Sequence, residues 1–472
     1  MRAGAVVDGA PCYTTWEDSL EAGAAVLPTE ARRLGTLEQL YLTFYWFSSN
    51  VHWGAILSIL VQAQVLGMVG DEYKGRATGL AVSIGSITGI IVPPLLGAWS
   101  DRVRSRLGRR RPFMVAGTAL NLLALVGLAT FPFMKGDSLW GFTTAYWLYV
   151  GAYLLANFAN NFATAPYTAL MPDVVAPEQR GSVAGWYGLM TLLGNGVGIV
   201  VGGLLVSQEA SPGEFQGQIY RVYSVIGLIL VVGLLVTVTG TRERVPTTAP
   251  KPFDWGSFLR GFVAPFRSAD FRWVFVTRML MTMGVFSVQN FLLYYLKDVV
   301  GTFTVFGRVL APTPETAVMG VLVLLLLLAL PSTLIAGKLS DRYGRKRIVY
   351  VAGGIQAVVA VGFILADNYL AALCIGALFG VGYGAYESVN WALATDVLPD
   401  MDDAAKDMGI WHMALTVPQL LATPVAGWLL DTFQSVGKES GRPNLGYTVI
   451  FSVAILYFLL GTVFVSKVKK AR

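Results

Sequence analysis

Two ionisable side chains, Glu387 and Arg278, stand inside long apolar stretches of the 472-residue sequence. An acid or a guanidinium at membrane depth is expensive and marks a functional position by default. Glu387 is placed to titrate or to bind a cation; Arg278, in the first third of its stretch, is placed to pair with it or to donate hydrogen bonds to a ligand. The alternatives are a static Arg278–Glu387 pair or an Arg278 that snorkels to the surface. Amides and aromatic rings gather in four such stretches: Asn50, His52 and Trp53; Asn157, Asn160 and Asn161; Gln289 and Asn290; Asn390 and Trp391. His412 and Gln419 form a weaker fifth group. Amides of this kind bind a polar ligand or bond one membrane helix to another. The tryptophans stack on a ligand, pack, or anchor at an interface, and His52 can hydrogen-bond or carry a proton.

The elements that must position these residues are membrane helices. The chain is 54% hydrophobic and 14% charged, where a soluble protein carries about 25% charged residues. A bilayer core of about 30 Å takes roughly 20 apolar residues in a helix. About twelve runs qualify: 40–65, 76–99, 112–134, 142–166, 180–206, 219–240, 272–297, 314–337, 347–366, 369–394, 405–430 and 446–467. Pro93 and Pro94 fall inside one of them, which neighbouring membrane helices tolerate. Cys12 and Cys374, the only cysteines, lie far apart, and His52 and His412 are the only histidines. A disulfide framework, a Cys-based metal site and a His-rich metal site are thereby excluded. Met1 to Glu38 has no apolar core for a secretory signal and is interrupted by Asp8, Glu17, Asp18 and Glu21; it reads as a cytoplasmic tail, partly helical over 15–25.

The net charge of +6 resides in short segments between runs. Arg102, Arg104, Arg106, Arg109, Arg110 and Arg111 follow run two, and Lys338, Arg342, Arg345, Lys346 and Arg347 follow run eight. Arg242, Arg244, Lys251, Arg260 and Arg267 fill the middle segment, and Lys467, Lys469, Lys470 and Arg472 the tail. Twelve spans place all four segments on one side. The positive-inside rule makes that side cytoplasmic, with both termini there. The same clustering argues against a nucleic-acid face.

The sequence repeats. Gly97, Asp101 and Arg102, then Gly108, Arg109 and Arg110, close run two in the order in which Gly337, Asp341 and Arg342, then Gly344 and Arg345, close run eight. Ala169, Leu170 and Asp173 close run four as Ala392, Leu393 and Asp396 close run ten. Run n therefore matches run n+6, the parallel repeat of two six-helix halves with a ligand site at midplane between them. Gly194, Gly196, Gly198, Gly202 and Gly203 in run five read as close helix packing.

The Gly-x-x-x-Asp-Arg motif at both loops resembles the major facilitator superfamily. That resemblance implies an all-α membrane protein of about twelve helices whose cavity is lined by runs one, four, seven and ten, and in which the motif Asp latches a gate. Carboxylates are favoured at helix N-termini, which gives the latch a physical basis. Within the superfamily, the first half resembles the sucrose–proton symporters and the wider glycoside–pentoside–hexuronide:cation symporters. The residues that carry this are Val51 to Gly54, Ser100 to Arg102, Gly108 to Phe113, Ala159 to Asn161, Pro166 to Asp173, and Arg180 with Gly181. The implied substrate is a sugar or glycoside, and the implied partners are a coupling cation and the lipid bilayer. Two positions depart. The proton-accepting Asp that the resemblance implies in run four is Asn157, which cannot titrate, and the sugar-holding Arg is Thr168.

The expectation is a monomeric secondary transporter with no cofactor, no nucleic-acid partner and no enzymatic motif. The resemblance implies a sugar:cation symporter of the cytoplasmic membrane, driven by protons or sodium, with an uncoupled facilitator or a drug exporter as alternatives. A multidrug exporter would carry the complete run-five motif, whose Pro is missing, and a sensor or scaffold would add a soluble domain. The expected organisation is a tail to residue 38, halves at 39–240 and 272–467, a linker at 241–271 and a tail at 468–472.

Overall fold

The computed structural model describes residues 33–100, 102–103, 105, 107–241, 243, 255–256, 262–397 and 404–469. Asp101, the stretch 15–25 and the side chains of 404–409 and His412 lie outside that description. In hydrocarbon, every backbone donor and acceptor must be satisfied within its own segment, so the apolar runs become helices. They are α1 (Thr36–Ala55), α2 (Val61–Ser100), α3 (Arg111–Thr130), α4 (Thr144–Val174), α5 (Arg180–Leu205) and α6 (Pro212–Gly240) in the first half. The second half holds α7 (Ala269–Gln289), a short α8 (Leu292–Tyr295), α9 (Pro314–Tyr343), α10 (Arg345–Leu365), α11 (Tyr369–Asp396), α12 (Ala404–Glu439) and α13 (Leu445–Phe464). α1 and α7 open at Thr36 and Ala269, slightly before the boundaries read from hydropathy.

The first two spans run without a non-helical loop over Thr36–Gly97, 62 residues. A straight helix of that length would reach about 90 Å, three times the hydrocarbon thickness. Gly70 resolves this, with φ 74° and ψ −176° inside α2. Only glycine adopts that conformation cheaply, so it is the hairpin between the two spans. A π turn at Ile56–Leu60 joins α1 to α2, and another at Leu296–Val300 follows α8. Runs one and seven thus share a local widening as well as a place in the repeat. Two small hairpins, β1–β2 (Ser138–Leu139, Phe142–Thr143) and β3–β4 (Thr304–Val305, Arg308–Val309), cap the loops after α3 and after the second π turn.

Each half has its own core. Tyr146, Tyr149 and Tyr223 are buried in the first, and Tyr295, Phe363 and Phe451 in the second. Exposed Leu123, Val126, Leu228, Leu334 and Val358 present the apolar exterior that lipid requires. The halves meet along two seams, α2 against α12 and α5 against α9. At the first, a Cβ on Gly427 would lie 2.0 Å from the Gly75 carbonyl oxygen. The run-five glycines let α5 approach both neighbours: a Cβ on Gly198 would lie 2.2 Å from the Val51 oxygen, and one on Gly203 2.6 Å from Met319 Cβ.

Candidate functional site

The side of the bundle that carries the arginine-rich loops is here called the basic side. On it, Arg109 and Arg110 both bond Asp173 at the end of α4, the two Nε–Oδ2 distances being 3.2 and 3.1 Å. Arg110 also donates to Ser100 Oγ, and Arg111 to the Thr241 carbonyl. Glu243, just beyond α6, accepts the backbone N–H groups of Arg109 and Arg110 at 2.8 Å each. It therefore occupies the N-terminus of α3, where the dipole and free amides favour a carboxylate. Gly108, at φ 99°, leaves room for it, since a Cβ there would meet Glu243 Oε2 at 2.2 Å.

The second half repeats the clamp in reduced form. Arg345 bonds both oxygens of Asp396 and lies 3.8 Å from Asp341. Gly344 turns the chain with φ 93°, Gly337 sits against Ser388, and Arg342 lies over the Tyr343 ring at 5.3 Å. Gly97 has open space around it, and Arg102 is half-buried. Among the described residues, Asp173 and Asp396 thus receive loop-arginine side chains at close range, and Glu243 receives the loop's backbone amides. The signal for the first two was the second repeated motif, which places an Asp at the ends of runs four and ten.

The opposite side is shut by contacts between halves. Lys74, with a side chain 4% exposed, bonds Asp298 at 2.5 Å and Asp71 at 2.9 Å. Tyr447 donates to the same Asp298 at 2.5 Å. Asp431 on α12 accepts the Gly75 and Arg76 amides of α2 at 2.9 and 2.7 Å. Deeper, Gln62 donates to the Asn290 carbonyl at 3.1 Å, and the Thr78 and Tyr294 hydroxyls meet at 2.7 Å. Asn290 spends its side chain on Thr423 at 3.0 Å. Ser86 donates to Gln419 at 3.0 Å.

Beneath this closure lies a cavity of about 170 Å³ between the halves. Ser58 of the first π turn, Thr191 and Asn195 of α5, Gln289 of α7 and Tyr383 of α11 supply its polar groups. Val285, Val288, Leu322, Leu325, Leu326 and Phe379 supply most of the remaining wall. Residues of runs one, seven and ten line it together with residues of α5 and α9. Asn50 reaches it through Asn195, whose Nδ2 donates to Asn50 Oδ1 at 3.3 Å.

The remaining candidates fall into two groups. On α4, Asn157 donates to the Tyr153 carbonyl at 2.9 Å and Asn161 to that of Asn157 at 2.8 Å, each one turn back. Asn160 accepts from Ser49 at 2.9 Å, joining α4 to α1. His52 is wholly buried, with neither ring nitrogen bonded, edge-on to Trp53 at 4.6 Å. The second group forms between α7, α11 and α12. Arg278 is 1% exposed, with Nε and Nη1 lacking hydrogen-bond partners, and its guanidinium lies 3.4 Å over Trp411 and 5.9 Å from Trp391. Asn390 is buried beside them with Nδ2 unbonded. Half-buried Glu387 interacts electrostatically with Arg278. Glu387 is one turn, about 6 Å, along α11 from the cavity residue Tyr383.

A bundle of two repeated halves enclosing a cavity is a transporter architecture, and the profile described as MFS/sugar transport protein matches residues 61–466. The chain belongs to the MFS/sugar transport protein family. It is a multi-pass membrane protein of the major facilitator type. The D-xylose-proton symporter structure has the same fold, at TM-score 0.66, 15% identity and coverage of 92% of this chain and 98% of that one. Human (Homo sapiens) proton-associated sugar transporter A is 34% identical over 169 residues, 34% of this chain and 22% of that protein. Sucrose transport protein SUC3 of Arabidopsis thaliana is 29% identical over 185 residues, 36% of this chain and 31% of that one. The chain thus matches less than a third of the length of either relative. The multi-drug resistance efflux pump PmrA of Streptococcus pneumoniae is 24% identical over 356 residues, 73% of this chain and 78% of the pump.

Proposed function

We propose that this member of the family moves a sugar or glycoside across the cytoplasmic membrane by proton symport, with the basic side and both termini facing the cytoplasm. The observation that carries the reading is the cavity at the junction of the halves, with polar groups from both and a membrane-depth carboxylate, Glu387, one turn from its wall. Gln289, Thr191, Asn195 and Tyr383 offer hydrogen-bond partners to sugar hydroxyls, and Phe379 an aromatic face. Arg278 and Glu387 lie toward the cytoplasmic side of the cavity, where a proton leaves in an inward cycle. Coupling requires that protonation of Glu387 change sugar affinity or the barrier to the empty return. The arginine clamps at Asp173 and Asp396 hold the cytoplasmic loops that the rocking halves must carry as rigid units.

The test is uptake of labelled sucrose, maltose and related glycosides into proteoliposomes of the full chain, with and without an imposed pH gradient. Accumulation of at least one glycoside against its gradient supports the reading. A second reading, drug export, draws on the aliphatic wall of Val285, Val288, Leu322, Leu325 and Leu326. Extrusion of a lipophilic cation such as ethidium, without uptake of any glycoside, would put it first.

A further inference from the structure

A second buried carboxylate lies at the seam between the halves, remote in the chain from the Glu387 cluster. Glu315, in the first turn of α9, has no exposed surface. Its Oε1 accepts the backbone N–H of Gln208, in the segment after α5 of the other half, at 3.2 Å, and its Oε2 is buried without a partner. Gln208 Oε1 is likewise buried and unbonded, while Nε2 donates to the Ala63 carbonyl at 2.9 Å. Gln208 also lines a vestibule of about 420 Å³ on the side opposite the basic loops, together with Gln64, Asp71, Phe215 and Lys297. In the other direction, Glu315 stands two helical turns, about 10 Å, from Leu322 in the wall of the central cavity. The carboxyl therefore sits between the outer vestibule and the cavity, on a contact between halves that an outward opening must break.

Burial without a paired cation disfavours an ionised carboxylate, and the charged group that faces it, Glu209, is of like sign. Lys297 and Asp298, on the π turn packed against α9, are engaged elsewhere, Lys297 with Asp71 at 3.6 Å and Asp298 with Lys74 and Tyr447. Asp367, ahead of α11, accepts from Asn368 at 2.9 Å. The first turn of α9 does favour negative charge, and the Glu315 N–H and the Thr313 hydroxyl act with the Gln208 amide in that direction, yet Oε2 is left without a donor.

We propose that Glu315 is a proton-binding site of the extracytoplasmic gate, closing with a proton bound and giving it back to the vestibule as the gate opens. The proton enters and leaves on the same side, so this site transports none; it makes closure of that side more favourable in external acid. The inference rests on the alternating-access reading and its sidedness, not on the identity of the substrate. Asp298 and Asp431 face the same gate, Asp298 engaged by Lys74, and Asp431 has the opposite effect. Protonation of Asp431 would weaken its contacts to the Gly75 and Arg76 amides, and so favour opening in acid. A variant comparison separates the two.

The experiment places spin labels at Leu139→Cys on β1 and Val309→Cys on β4, both exposed on that side and in different halves. The full chain carries Cys12→Ser and Cys374→Ser, and distances are measured without sugar. Going from about pH 8 to about pH 5, the closed-to-open ratio should rise about tenfold or more in the protein that keeps Glu315, and stay level or fall in Glu315→Gln, where only the opposing carboxylate response is left. A pH-independent ratio in the Glu315 protein overturns the proposal, even if the variant fails to fold, and so does a variant that keeps the full response. Failure of glycoside uptake would leave this titration in place, so the two readings fail separately.

Discussion

Asp298→Asn removes the anion opposite Lys74 on the shut side. The pair is 2.5 Å long, with side chains 4% and 19% exposed. Deleting one partner of a buried pair costs about 3–5 kcal/mol. Lys74 keeps Asp71 at 2.9 Å and the Tyr294 ring at 5.2 Å, which retain part of its stabilisation. About 2 kcal/mol is then lost from the closed state, and almost none from an open state in which both groups are solvated. That difference raises the open-to-closed ratio by about 30-fold. Thr78, wholly buried and bonded to Tyr294 at 2.7 Å, reports it as a cysteine. In a Thr78→Cys protein lacking Cys12 and Cys374, a water-soluble thiol reagent should react about 30-fold faster when Asp298→Asn is added. A change below about threefold would refute the assignment of this pair to the closure.

Other substitutions test the remaining parts. Asp173→Asn removes the carboxylate that Arg109 and Arg110 share, and should lower stability in detergent by about 2 kcal/mol; Asp396→Asn, whose partner and own side chain are 24% and 35% exposed, should cost less. Thermal unfolding monitored by tryptophan fluorescence checks the order of the two. Gly427→Ala puts a methyl group against the Gly75 backbone and should destabilise the α2–α12 seam, whereas Gly196→Ala, 3.7 Å from Leu326 Cδ1, should be neutral in the same assay. Gln289→Leu removes a polar group from the cavity wall; it should raise the KM for a transported glycoside about tenfold with unfolding unchanged. An unchanged KM would place the sugar elsewhere.

The helices were legible because lipid leaves the backbone few options, and the repeat was legible because both copies of the motif survive in the chain. The hairpin at Gly70 was less so, since runs one and two differ from one long helix only by a backbone torsion that a single glycine permits. The clamps at Asp173 and Asp396 were visible as a repeated pair, but the motif drew attention to Asp101 and Asp341. The closure between halves has no local signature at all: Lys74 and Asp298 are 224 positions apart, and Gly75 and Asp431 356. The amides of run four show why composition alone leaves roles open. Asn157 and Asn161 bond carbonyls one turn back, as polar side chains in membrane helices often do. Gln289, of identical chemistry, ends its helix at the cavity. Arg278 and Glu387 were singled out by their cost in lipid, yet the guanidinium's shortest ring contact, with Trp411, could not be read from spacing.

The most direct test of proton-coupled sugar transport is Glu387→Gln in proteoliposomes, measured in two modes with the same labelled glycoside. The account predicts that accumulation driven by an imposed pH gradient is lost, while exchange of labelled for unlabelled sugar, with no gradient, is retained. Accumulation that survives the substitution would contradict the role of Glu387 in coupling, and the absence of gradient-driven accumulation in the unsubstituted protein would contradict proton symport itself.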